Sequence, residues 1–419
     1  MSDLYSKASL VMNPQLVDTG KVYSIKPEDR KGDFTFTRSS YATRVNADGN
    51  IEKETQNLLL QSNTFDTNWA KTNASVTSGQ SGYDGTNDAW QITATATSSS
   101  FVRQFINVTS QVSTFSVYAK AGNVDWAYLN CVGVTAYYDL TNGVVGTTTG
   151  GGNLIDTKIV SVGNGWWKIS ITGLGIEQQR IYVANGNLGF DTAIGEYIYI
   201  QDAQLEQGLV ARDYIETTTA AVYGGITDNT PRLDYTDSSC PALLLEPLRT
   251  NLVSQSEYIG SLTPERVTIT TNADTSPEGV VNATSFVEDS ATGRHRTSFY
   301  ESVTSGTTYT FSMFAKIKSG TRLLCINNLA TIGARAYFDL VNGDVESIDG
   351  GSASIEDYGN GWYRCYVTGT SSITGNATTY FGLEDGTADN GYTGDGTSGH
   401  YWYGLQLEAG SYATSYIPT

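Results

Sequence analysis

The sequence predicts an all-β protein, two jelly-roll β-sandwich domains in tandem behind a short N-terminal docking segment. The first observation behind this is a long internal repeat. TFSVYAK at 114–120 returns as TFSMFAK at 310–316, and GNGWWK at 163–168 as GNGWYR at 359–364, each 196 positions later. YDLTNG at 138–143 returns as FDLVNG at 338–343, and QLEQG at 204–208 as QLEAG at 406–410. A period near two hundred residues is a duplicated domain, since solenoid repeats run to tens of residues. The second observation is composition: 44 Gly and 27 Tyr with abundant Thr and Ser, residues of strands and tight turns. The third is pattern. Phe115, Val117 and Ala119 alternate with Ser116, Tyr118 and Lys120, and Asn-Gly pairs at 142–143, 164–165, 342–343 and 360–361 mark hairpins.

Along the chain, residues 1–32 read as a separate docking segment, with Leu10, Val11 and Met12 as its apolar contacts to a larger particle. The first sandwich spans 33–217, and NLLLQS at 57–62 opens its repeated part, as NLVSQS at 251–256 opens the second copy. Residues 218–250 read as an ordered connector, because the run Ala242, Leu243, Leu244, Leu245 demands burial. The second sandwich spans 251–419. A copy length of about 170 residues suits a jelly roll better than a ~100-residue immunoglobulin-like domain. At 419 residues the chain exceeds what one core usually supports.

The net charge of −18 argues against nucleic acid and against an anionic membrane surface, both of which call for Lys and Arg. No apolar run approaches the ~20 residues of a membrane span. The start MSDLY lacks the basic and apolar regions of a secretion signal, so synthesis in a cytoplasm without ordinary export is expected. The four cysteines show no metal or redox spacing and read as reduced, buried thiols, with Cys131 and Cys325 at matching places in the two copies.

Alternation in the strand after each Asn-Gly turn puts Trp166 and Lys168 on one face in the first copy, and Trp362, Arg364 and Tyr366 in the second. A tryptophan beside a cation on a polar sheet face suits sugar stacking, the ring carrying the C–H face and the neighbours the hydroxyls. Trp402 is a further candidate, although burial under a loop or under the incoming chain is the commoner fate of such rings. Asp385, Asp389 and Asp395 offer oxygens for calcium without EF-hand spacing, and plain turn chemistry accounts for them equally. Catalysis finds no support: His295 and His400 have no counterparts in the first copy, and no nucleophile elbow, zinc helix or phosphate loop is present. The repeated acids Glu206, Glu408, Asp139 and Asp339 are single in their motifs and are expected at turns and strand ends.

DFTFTRSSYATRVN at 33–46, PRLDY at 231–235, CPALLLEPLRTNL at 240–252, GNGWYR at 359–364 and the terminus QLEAGSYATSYIPT at 406–419 together resemble virion proteins of tailed bacteriophages. The resemblance is to tail-fibre, minor tail or head-fibre components with jelly-roll domains similar to carbohydrate-binding modules. The first copy departs from it, ending in ARDYIE at 211–216 where the second has ATSYIP. The resemblance implies a virion-surface protein made in the host bacterial cytoplasm. It also implies other virion proteins of head or tail as partners, a homo-oligomer such as a trimer, and host cell-surface polysaccharide as ligand. A purely structural decoration protein is the alternative, and a glycan-degrading tailspike is the third reading.

Overall fold

The structure is a computed structural model that describes residues 2–38, 42–108, 110–236, 238–386 and 391–419. Apart from one short N-terminal helix, Ser2–Lys7, and a single turn at Leu329–Ile332, its regular elements are strands with brief 3₁₀ turns. The chain divides into two units: a first module, Thr55–Gly224, and a second module made of Met1–Glu54 with Gly225–Thr419.

Each module is an antiparallel sandwich whose inner faces come from the alternation seen in the sequence. In the first module one sheet runs Leu154–Gly163, Trp166–Leu174, Val112–Ala121, Tyr197–Gln207, Ala89–Ala94 and Ala74–Gln80. The other runs Val144–Thr149, Val134–Asp139, Trp126–Cys131, Arg180–Ala184, Ser100–Arg103 and Ala70–Thr72. Phe115, Val117, Ile169, Ile171, Ile198 and Ile200 point inward from the first sheet onto Ala127, Leu129, Ala136, Tyr138, Ile181 and Val183 of the second. The β-branched and aromatic side chains of these strands fit a pleated surface buried on one face.

The second module repeats this plan. Its six-stranded sheet runs Val267–Thr275, Val281–Glu288, Gly399–Ala409, Thr308–Ser319, Tyr363–Thr370 and Ser352–Asp357. Its five-stranded sheet runs His295–Val303, Gly375–Glu384, Leu323–Asn328, Ala334–Asp339 and Asp344–Asp349. Strand for strand the order of these two sheets matches the first module, whose second sheet adds the short edge strand Ala70–Thr72. The duplication is therefore one of fold as well as of sequence.

The Asn-Gly pairs divide into two kinds. Asn164-Gly165 and Asn360-Gly361 both hold positive φ at both residues (53° and 77°, 54° and 79°), the backbone of a two-residue hairpin. At 142–143 and 342–343 only the glycine does, and Asp139 or Asp339 caps the turn by accepting from the backbone N–H groups at 141 and 142, or 341 and 342. This is the turn role expected of those two acids.

Three expectations are corrected. Residues 33–54, read as part of the first sandwich, pack with the second module: Ile51 lies in a cluster with Phe314, Trp362, Tyr403 and Tyr416, and Thr43 Oγ1 donates to the Tyr416 carbonyl at 2.6 Å. Leu243 and Leu244 of the connector are half-buried, but Leu245 and Leu248 stand 71% and 81% exposed, so the apolar run is not a core. Within the connector, Leu233–Asp234 pairs with Ala242–Leu243. Finally, Cys131, Cys325 and Cys365 are buried as expected, but Cys325 lies at the register of Tyr128 and not of Cys131, and Cys240 is exposed.

Candidate functional site

The strongest repeated motifs build the frame. Asn57 Nδ2 donates to the carbonyls of Ala203 (3.0 Å) and Ile215 (2.8 Å), and Asn251 Nδ2 does the same to Leu405 and Ile417, both at 2.9 Å. Gln204 and Gln406 donate to Glu206 and Glu408, whose carboxylates also accept the backbone N–H of Arg212 and Thr414. Ser62 pairs with the Tyr214 hydroxyl and Ser256 with that of Tyr416. These groups tie the strand that opens each module to the segment that closes it. Glu206 and Glu408 are wholly buried parts of that clasp, and burial raises the Glu206 carboxyl.

The closing segment also covers the predicted sugar platforms. Trp166 is 1% exposed in a cluster with Tyr118, Tyr83 and Tyr214, and Lys168 donates to the Arg212 carbonyl. Trp362 is 3% exposed, its indole N–H on the Thr275 carbonyl. Arg364 is buried too, bonded to Ser312 Oγ at 3.1 Å above the Phe314 ring. Trp402 belongs to the main core of the second module, stacked on Phe286 at 3.9 Å. Lys168 and Tyr366 stay half-exposed, Tyr366 donating to Glu356 at 2.9 Å. None of the three tryptophans presents a face to a ligand: Trp166 and Trp362 lie with the segment that closes each module, and Trp402 lies in the core.

Of the calcium candidates, Asp389 lies outside the described residues. Asp395 spends both oxygens on its own loop, accepting the N–H groups of Thr397 and Ser398 (both 2.7 Å) and the Ser398 hydroxyl (2.6 Å), which hold its carboxyl far below the usual range. Asp385 is not brought into a ligating cluster: among the described residues no three acidic, His or Cys side chains are grouped for a metal. Leu10 is exposed beside the strand Val11–Asp18, which pairs with Lys21–Lys26 and leaves Val11 and Met12 half-covered.

The outward face of the other sheet in the first module carries something the repeat did not disclose. Phe101, Tyr182, Tyr128 and Tyr137 stand directly opposite one another on four successive strands. At the ~4.8 Å spacing of paired strands they form a straight aromatic row about 14 Å long. Ring centroids lie 4.4 Å apart for Phe101–Tyr182, 4.9 Å for Tyr128–Tyr182 and 4.2 Å for Tyr128–Tyr137. Trp126 packs beside the row. One position pair along, the next row is Arg103, Arg180 and Asn130, and Asn130 donates to the Tyr128 hydroxyl at 2.9 Å.

A loop after the strand Arg180–Ala184 folds back over this face. Asn187 Oδ1 accepts from the Thr147 N–H at 2.8 Å, Asn185 Nδ2 donates to the Asp191 carbonyl at 3.0 Å, and Phe190 lies nearly parallel to Tyr128 at 6.0 Å. Phe190, Leu188 and Ile194 of the loop are themselves exposed. Beneath it, burial and the neighbouring Tyr128, Tyr182 and Asp191 push the Tyr137 hydroxyl up to about 12, so it remains a neutral donor at ordinary pH. In the second module the matching row reads Arg296, Gly382, Cys325 and Tyr337. Arg296 there covers Tyr380 at 4.0 Å and bonds Glu265 at 2.8 Å, and Arg335 bonds Asp349 at 2.7 Å. Three of the four rings are gone.

Fold and face together define a two-module antiparallel β-sandwich protein with one lidded aromatic row. No family model and no curated protein matches the chain. Among solved structures, the tandem CBM22-1–CBM22-2 domain of Paenibacillus barcinonensis Xyn10C is similar at 12% identity and a TM-score of 0.27, over 89% of this chain and 100% of that one. Oxalate decarboxylase from Bacillus subtilis is similar at 8% identity and a TM-score of 0.12, over 75% of this chain and 71% of that one. Likenesses this distant carry no argument, and the fold rests on the strand order above.

Proposed function

We propose that this is a non-catalytic adhesion protein whose first module binds saccharide along the row Phe101–Tyr182–Tyr128–Tyr137, with the second module as scaffold. The carrying observation is that row: four rings in register on the sheet face away from the core, each only 4–9% exposed, flanked by amide and guanidinium donors. Aromatic faces take the apolar side of pyranose rings, and polar neighbours take the hydroxyls. Because the rings are covered, this reading requires the loop that carries Phe190 to move aside for the ligand. The virion-surface setting, with other virion proteins as partners and host polysaccharide as target, rests on the motifs at 33–46, 231–252 and 406–419.

The test is a glycan array and a host-cell binding assay with the whole chain, Tyr128→Ala and Phe190→Ala. Loss of at least tenfold in affinity in both variants, with Tyr366→Ala unaffected, is the expected result. Unchanged binding by Tyr128→Ala removes the row from the account. Release of new reducing ends from a bound polysaccharide would make the protein an enzyme instead. Particle docking without sugar binding is a second reading, favoured by the exposed Leu245 and Leu248; Leu248→Asp would then strip the protein from virions.

A further inference from the structure

Arg103 and Arg180 are directly opposed across the strands Ser100–Arg103 and Arg180–Ala184, on the same outward face as the aromatic row. Like charges facing each other in a cross-strand pair destabilise a sheet. Elsewhere in this acidic chain the arginines of comparable position are neutralised: Arg44 by Glu52, Arg232 by Glu246, Arg296 by Glu265, Arg322 by Glu288 and Arg335 by Asp349. Arg103 and Arg180 have no carboxylate within ion-pair distance among the described residues. They share one neutral acceptor, the amide oxygen of Gln178, which Arg103 reaches at 3.4 Å and Arg180 more closely. Gln178 holds that position from a left-handed backbone, φ 51°. Arg180 Nε is buried with no acceptor, and its guanidinium lies 5.7 Å from the Phe101 ring. Burial raises the Tyr182 hydroxyl, and the charges of Arg180 and Arg103 lessen that rise without cancelling it.

Two planar forks side by side, held by an amide and short of an anion, match a carboxylate, which guanidinium groups bind in bidentate fashion. We infer that Arg103 and Arg180 form an anion pair and that the saccharide taken by the adjacent row is an acidic one, with a uronate-type carboxylate seated between the two guanidiniums. The inference rests on the saccharide reading of the aromatic row. It also accounts for the second module, where the matching positions are Ser298 and Tyr380 and no such pair exists.

The experiment measures binding of the whole chain to polygalacturonate and to neutral dextran and galactan, at low and high salt. It compares the parent with Arg103→Gln, Arg180→Gln, the double Lys variant and Tyr128→Ala. The expected result is preference for polygalacturonate, weakened at least tenfold by either Gln variant and by Tyr128→Ala, and not restored by the Lys variant. Thermal melts of the Gln variants should stay at or above the parent, since a like-charge pair is relieved. Equal binding of neutral and acidic polymers, or acidic binding indifferent to the Gln variants, overturns the anion pair and leaves the saccharide reading standing. Failure of every polymer to bind overturns both.

Discussion

His400 is wholly buried in the second module, its Nε2 2.9 Å from the Arg322 carbonyl. Burial penalises the imidazolium and pushes the ring down to about 4 from its ordinary 6.5. The fold therefore holds neutral His400, while the unfolded chain protonates it once pH drops below about 6.5. Its contribution is intact above that pH and is lost as pH falls toward 4, a change on the order of 3 kcal/mol. Melting temperature across that window should fall more steeply in the parent than in His400→Gln, and parallel curves would contradict this account. Trp166 and Trp362 look exposed by alternation, because alternation assigns a face of the sheet and says nothing of what lies across that face.

At the scale of the element, the clasp between opening and closing segments is the feature both modules keep. Asn251 makes two donor bonds and accepts from the N–H groups of Val253 and Leu407 (both 3.1 Å), all within a buried setting. Removing one such side chain leaves several backbone groups without partners, each costing about 1 kcal/mol or more. Asn251→Ala should destabilise the second module by about 2–4 kcal/mol in denaturant unfolding, and Asn57→Ala the first module by a similar amount. The hairpins give a sharper check. Gly361 holds a φ of 79°, so Gly361→Ala should cost about 1–2 kcal/mol. These elements were legible in the sequence because both copies share them. The aromatic row was not, because only one copy has it, and comparing the copies selects what the frame needs.

At the scale of the whole molecule, the first module is an insertion. Its two ends run side by side, Thr55–Asn57 paired with Val222–Gly224, and the chain before it joins the chain after it in the second module. Lys53 is central to that union: it is buried against Glu257 and Glu278, at 2.9 Å from the latter. Lys53→Met would strand two carboxylates in the interior and should cost the second module about 3–5 kcal/mol, with the unfolding transition of the first module unmoved. A fragment of residues 55–224 should melt cooperatively alone, whereas 225–419 without 1–54 should melt well below the full chain. Coincident melting of both fragments with the parent would refute the insertion.

By itself the sequence determined the strand content, the duplication, the hairpins and the acidic balance, because alternation, turn chemistry and charge are local and survive in the order of residues. Only the tertiary structure decided that residues 33–54 belong to the second module, that the repeated tryptophans are covered, and that Phe101, Tyr182, Tyr128 and Tyr137 share one row. Those facts depend on which strands become neighbours and which segments cross a face. Such pairings join residues up to several hundred positions apart, and no local pattern encodes them.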